Sequence, residues 1–139
     1  MNKIKSLLFV LIIMTISFIT IGSASATSFP DTGGRVQYFY DSAKKELTIR
    51  GQNAPTEHAY VSGNFTKASD WPWHSLRNEI EKVTFTTGTN GAGVGFSGVA
   101  NFMFADMPNL KTVDLSGMQE IQASGLARMF SNWDRKSVV

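Results

Sequence analysis

The sequence predicts an α+β domain in which an N-terminal β-hairpin cap is followed by a short solenoid with a strand plus a short helix per repeat. Three observations carry that expectation. Ile80, Val83 and Phe85 are answered further on by Leu110, Val113 and Leu115. The phrase Asn-Phe-Met-Phe-Ala-Asp-Met at 101–107 is answered by Leu-Ala-Arg-Met-Phe-Ser-Asn-Trp at 126–133, and the two Met-Phe pairs lie 26 residues apart. Ahead of both repeats, Val36, Tyr38 and Tyr40 alternate with other residues, and Leu47 and Ile49 return with the same period of two.

In chain order, residues 1–26 read as a secretory signal peptide. Lys3 and Lys5 form its charged start, Leu7 to Ile21 its apolar run and Ala24-Ser25-Ala26 its small-residue cleavage site. The competing reading is an uncleaved anchor, because the apolar run is almost long enough to span a bilayer. Cleavage removes two of the 13 basic residues and none of the 11 acidic ones, leaving the mature chain near neutral. A phosphate-binding surface would need a basic stripe, so no nucleic-acid partner is expected, and contact with a membrane is expected only through the signal peptide before cleavage. The chain has no cysteine although the leader points to an exported protein, so burial and hydrogen bonding must supply its stability.

Thr27 to Gly34 reads as a flexible start. Val36 to Tyr40, a turn at Asp41 to Lys44 and Glu46 to Arg50 then form a hairpin with a longer loop, placed to cap the first repeat strand. Gly51 to Ser69 is polar and reads as a loop. Ser75 is a candidate cap for a helical turn from Leu76 to Ile80. The chain thus divides into signal peptide (1–26), cap hairpin and connecting segment (27–79) and repeats (80–139).

Within the second repeat, Val113 and Leu115 face one way and Thr112 and Asp114 the other, the pattern of a half-buried strand. Leu126, Met129, Phe130 and Trp133 then fall at i, i+3, i+4 and i+7, one stripe of a helix, and Ala100, Met103, Phe104 and Met107 repeat those offsets in the first copy. The first copy is longer, and the extra residues are placed in a Gly-rich rim loop between Thr86 and Gly98. A period of 26 residues lies in the range of leucine-rich solenoids, whose units stack because none can bury its apolar face alone.

Residues 114–130 resemble, without gaps, the repeat of BspA-type leucine-rich surface proteins, which typically reads D-L-S-G-F-D-T-S-N-V-T-D-M-S-G-M-F. The matching positions are Asp114, Leu115, Ser116, Gly117, Met129 and Phe130, with Met118 and Leu126 as conservative replacements; Gln119 to Ser124 departs from the pattern. Val36 to Gly51 is similar to the opening hairpin of the domain that often precedes such repeats. Trp71-Pro72-Trp73 followed by Ile80 to Phe85 is similar to its lead-in. The resemblance covers most of residues 35 to 133 and implies a bacterial surface or extracellular protein that adheres through its solenoid.

Each candidate site competes with a packing or solvated role. Trp71 and Trp73 offer flat indole faces for sugar rings, or else fill the joint between hairpin and first repeat, which is the favoured reading. Thr84, Thr112 and Asp114 point away from the repeat core and are ligand-facing candidates. The repeat core itself is Ile80, Val83, Phe85, Met103, Phe104, Leu110, Val113, Leu115, Leu126, Met129 and Phe130. His58 and His74 lack the clustering of a metal site. Asp70, Glu79, Glu81, Asp106, Asp114 and Glu120 form no recognisable catalytic pair. Gly88, Gly91, Gly93, Gly95 and Gly98 lack the lysine of a phosphate loop.

The expectation is therefore a secreted or cell-surface binding and adhesion protein without catalytic activity, cofactor or metal. Its partner would be a host or neighbouring-cell surface protein or glycan. Two alternatives remain open at this point. One is an exported glycan-binding enzyme or inhibitor acting on cell-wall or host polysaccharide. The other is an inactive, truncated piece of a larger adhesin, because stable solenoids need about three or more repeats and two are present.

Overall fold

The computed structural model describes residues 26–29, 36–52, 58–125 and 128–132. The expected signal peptide up to residue 25, Leu126 and Trp133 lie outside the described residues. Strand β1 (Ala26–Phe29), where a flexible start is expected, pairs antiparallel with β2 (Val36–Asp41), and β2 pairs antiparallel with β3 (Glu46–Gly51). The turn between β2 and β3 is closed by Asp41, whose Oδ1 accepts the backbone N–H groups of Ala43 and Lys44 at 3.0 and 3.1 Å.

From β3 onward the chain coils. β4 (His58–Phe65) is followed by a return segment containing two 3₁₀ turns, Ala68–Asp70 and His74–Leu76. β5 (Lys82–Thr86), β6 (Gly93–Ala100), β7 (Thr112–Asp114) and β8 (Met118–Gly125) complete the strands. They form two sheets, a five-stranded one in the order β1-β2-β3-β5-β7 and a three-stranded one in the order β4-β6-β8. Every pairing from β3 onward is parallel, because each turn of the coil lays one strand on each sheet in the same direction.

The register explains the burial. Tyr40, Leu47, Val83 and Val113 form one inward row across the five-stranded sheet, and Tyr38, Ile49 and Phe85 the next. All seven are buried, in one cluster with Ala59, Val61, Val94 and Phe96 from the opposite sheet. Ile80, Met103, Phe104 and Leu110 are buried there too, as is Met129, while Leu115 and Phe130 pack against the cluster partly exposed.

The architecture corrects the α+β expectation. Among the described residues there is no α-helix, and the protein is a coil of mostly parallel strands. Residues 101–106 form turns, with positive φ at Phe102 and Asp106, and Arg128 and Asn132 repeat that conformation 26 residues later. A residue with positive φ cannot continue a right-handed helix, and these segments bond to each other instead. The Phe104 N–H donates to the Met129 carbonyl at 2.9 Å and the Asp106 N–H to the Ser131 carbonyl at 3.2 Å. The i, i+3, i+4 spacing therefore marks residues turned inward along a return segment.

Two stretches read as loops are strands. β4 lies inside Gly51–Ser69, and β6 begins inside the Gly-rich Thr86–Gly98 region and runs on to Ala100. The glycines of β6 reflect crowding between strands: a Cβ at Gly95 would lie 2.8 Å from the Tyr60 ring, which crosses it from β4. Ser75 caps nothing here, since the second 3₁₀ turn begins at His74 after Trp73 with no side-chain cap bond.

Charges stitch successive coils on the exposed rim. Lys45, Glu81 and Lys111 occupy equivalent places just before β3, β5 and β7. The Glu81 carboxylate pairs with Lys45 at 2.5 Å and with Lys111, while its backbone N–H and carbonyl bridge the same two residues. Hydrogen bonds from Lys111 and Lys45 lower the Glu81 carboxyl from the usual 4.5 to about 2. Its contribution to stability is thus present above pH 4.5 and is lost as the pH falls toward 2. A thermal-melting series is expected to show a midpoint that declines across this window and a shallower decline in Glu81→Gln; identical profiles would exclude the bridge as a contributor.

Candidate functional site

The outer face of the five-stranded sheet is the surface that the register organises most regularly. Its middle row runs Ser28, Phe39, Thr48, Thr84 and Asp114, one residue from each strand. A charged row, Asp41, Glu46, Lys82 and Thr112, lies to one side, and Gln37, Arg50 and Thr86 lie to the other. Thr84, Thr112 and Asp114 are thereby brought together on one face. Strands alternate their side chains, so burying Leu47, Val83 and Val113 forces these neighbours outward.

Local bonds hold this face in shape. The Thr84 hydroxyl donates to Glu46 Oε1 at 2.6 Å, and Lys82 pairs with the same oxygen at 3.0 Å. Burial acts to raise the Glu46 carboxyl, but the bonds from Thr84 and Lys82 together leave it lowered. Asp114 Oδ1 accepts the Ser116 backbone N–H at 2.9 Å, and that bond leads the lowering of its carboxyl. Arg50 Nη2 donates to Gln37 Oε1 at 2.7 Å, and its guanidinium lies 5.2 Å from the Phe39 ring centroid. Two shallow hollows meet at Arg50. One is lined by Gln37, Gly51, Gln52 and Thr89, and the other includes Phe39, Thr48 and Thr86.

Phe39 and Arg50 are among the members of this face that the sequence reading did not single out. The signal was present in the alternation, since both occupy outward positions of strands whose inward residues are apolar.

Trp71 and Trp73 are not on any outer face. They are 2% and 1% exposed, and their ring centroids stack 4.9 Å apart inside the return segment. Trp71 also stacks on Phe65 at 3.9 Å, and Trp73 contacts Tyr38 and Phe104 at 5.3 and 6.3 Å. Each indole N–H is satisfied within the next coil, Trp71 by the Asn101 carbonyl at 2.9 Å and Trp73 by the Met103 carbonyl at 3.2 Å. The ligand-platform reading of these two residues fails because neither the Trp71 nor the Trp73 indole has a face open to a sugar.

The carboxylates are dispersed, each on a structural partner. Asp70 accepts the Thr66 and Lys67 backbone N–H groups at 2.9 and 3.1 Å, and Asp106 accepts Asn132 Nδ2 at 2.7 Å. The Tyr60 hydroxyl donates to Glu120 across β6, and that bond is the main cause of its raised pKa. Glu79 receives the Tyr40 hydroxyl at 3.5 Å. Among the described residues, no group of three or more His, Cys, Asp or Glu is placed to hold a metal ion. The His58 side chain is not described.

No family model matches the chain, and no curated protein matches it either. Its coil does match the crystal structure of a leucine-rich repeat protein from Eubacterium ventriosum ATCC 27560, with a TM-score of 0.50 and 16% sequence identity. The fold is leucine-rich-repeat-like. The likeness covers 82% of this chain but 26% of that one, so the chain spans about a quarter of the neighbour's length. At this identity it speaks for the leucine-rich-repeat-like fold alone. Within that fold the two sheets are unequal. The outer face of the three-stranded sheet is crossed by the Tyr60 ring, whereas the five-stranded sheet keeps a broad polar face.

Proposed function

We propose that the protein is a BspA-type, secreted or cell-surface binding module of bacterial origin that recognises a surface protein or glycan without catalysis. The observation that carries this reading is the row Phe39, Thr48, Thr84 and Asp114 across the five-stranded sheet. Short polar side chains on a stiff coil give a face that can change residue by residue without disturbing the core, which is how solenoids accommodate partners. The match of residues 114–130 to the BspA-type repeat supports the family, and the apolar leader supports export.

The test is binding of the purified chain to bacterial and epithelial cells. Thr48→Lys/Thr84→Lys puts two long cations in the middle row and leaves every buried position untouched. It is expected to weaken binding at least tenfold while moving the melting midpoint by no more than a few degrees. Ser69→Lys/Gln122→Lys, which adds the same charge elsewhere, is expected to bind as the parent does. Equal loss in both variants, or in neither, would sink the assignment of the face.

A further inference from the structure

Resting on the reading of this sheet as a recognition face, we infer that Arg50 is the anchor of a subsite for the carboxylate of an acidic sugar in a polysaccharide. Arg50 lines both hollows at this end of the face. A guanidinium carries five N–H donors in a planar fork that matches a carboxylate bidentately. Gln37 takes one of those donors at 2.7 Å, and the guanidinium carbon lies over the Phe39 ring, 5.2 Å from its centroid. The fork is therefore held in place before any ligand arrives, which lowers the ordering cost of binding.

Among the described residues its charge is engaged in no ion pair; the pairs there are made by Lys44, Lys45, Lys67, Lys82 and Lys111. Glu46, on the same face of β3, lies about 13 Å along the strand and is held by Lys82 and Thr84. Around Arg50 the lining is amide and hydroxyl, from Gln37, Gln52, Thr48, Thr86 and Thr89, while the charged residues of the second hollow, Asp41, Lys44 and Glu46, lie at its other end. That lining suits a ring of sugar hydroxyls flanking one carboxylate. An acidic peptide would also want an apolar pocket for neighbouring side chains, and the apolar lining of the two hollows is confined to Ala26, Phe39 and Tyr40.

The experiment is calorimetric titration of the full chain with an oligogalacturonate and with the same oligomer carrying methyl-esterified carboxyls. The acidic oligomer is expected to bind and the ester to bind at least tenfold more weakly. Arg50→Gln is expected to lose at least tenfold for the acid with its melting midpoint unchanged, and Arg50→Lys, which keeps charge but not the fork, to fall between. Equal affinity for acid and ester would overturn the inference, as would an indifferent Arg50→Gln or competition by polyglutamate at the same concentration. If the acid fails to bind while Thr48→Lys/Thr84→Lys still loses cell binding, the sugar subsite falls and the face stands. If the acid binds through Arg50 while that double variant binds cells like the parent, the reading of the whole face falls instead.

Discussion

Trp73→Ala is expected to destabilise the protein by about 3–5 kcal/mol, the range for removing a fully buried aromatic ring. Trp73 is 1% exposed and touches rings from three parts of the coil, Tyr38 on β2, Trp71 beside it and Phe104 in the next return segment. The deletion leaves a cavity at the joint between cap and repeats. It also strands the Met103 carbonyl that now accepts the indole N–H at 3.2 Å. Because a domain of this size holds only about 5–15 kcal/mol in total, the loss should be plain in chemical denaturation. Trp73→Phe keeps a ring but not the donor and should fall well short of it. A cost below about 1 kcal/mol accompanied by lost ligand binding would restore the indole to a recognition role.

Gly88→Val is expected to be the second severe change, at about 3 kcal/mol or somewhat more, the upper end for forcing atoms into a packed site. Gly88 sits at the corner between β5 and β6, where a Cβ would run into the Gly51 carbonyl oxygen and lie 3.1 Å from its carbon. These are backbone atoms of the preceding coil, so no side chain can swing away to make room. The Gly88 N–H also donates to the Ala92 carbonyl at 2.8 Å, which fixes the corner from the other side. Thr87→Val, one position earlier and exposed, should stay within about 0.5 kcal/mol. Similar denaturation midpoints for the two variants would mean that the corner is looser than described.

The difference between these positions also explains what the sequence could convey. The hairpin was legible because Tyr38, Tyr40, Leu47 and Ile49 are large and alternate cleanly, and β5 and β7 because Val83, Phe85 and Val113 do the same. The second sheet was not, because its inward residues include the small Ala59 and its strand β6 interleaves Val94 and Phe96 with Gly93 and Gly95. Glycine in that number reads as a loop, yet here it admits the Tyr60 ring and the Gln119 side chain close to the backbone. The Ala92, Val94, Phe96 alternation was the available signal.

The helix expectation failed for a different reason. Ala100, Met103, Phe104 and Met107 are all buried, so the spacing did identify inward residues, but burial at i, i+3 and i+4 does not specify the backbone between them. Left-handed residues at Phe102 and Asp106 deliver the same side chains inward from a chain of turns. The outward row of the candidate site was half legible. Thr84 and Asp114 follow from the repeat strands, as does Thr112 in the adjacent row, whereas the place of the outward-facing Phe39 and Thr48 beside them required the parallel register between β3 and β5.

The claim on which the rest depends is that two strand ladders, and no helix, coil around one core and hold the five-stranded face rigid. Site-resolved amide hydrogen exchange tests it most directly. Amides of Val94, Phe96 and Ser97 in β6 are expected to be protected comparably to those of Val83 and Phe85 in β5, with Phe104 and Asp106 protected through their bonds to Met129 and Ser131. Free exchange through residues 93–100, together with a continuous helical pattern of protection over 101–107, would contradict the coil and remove the basis for the proposed face.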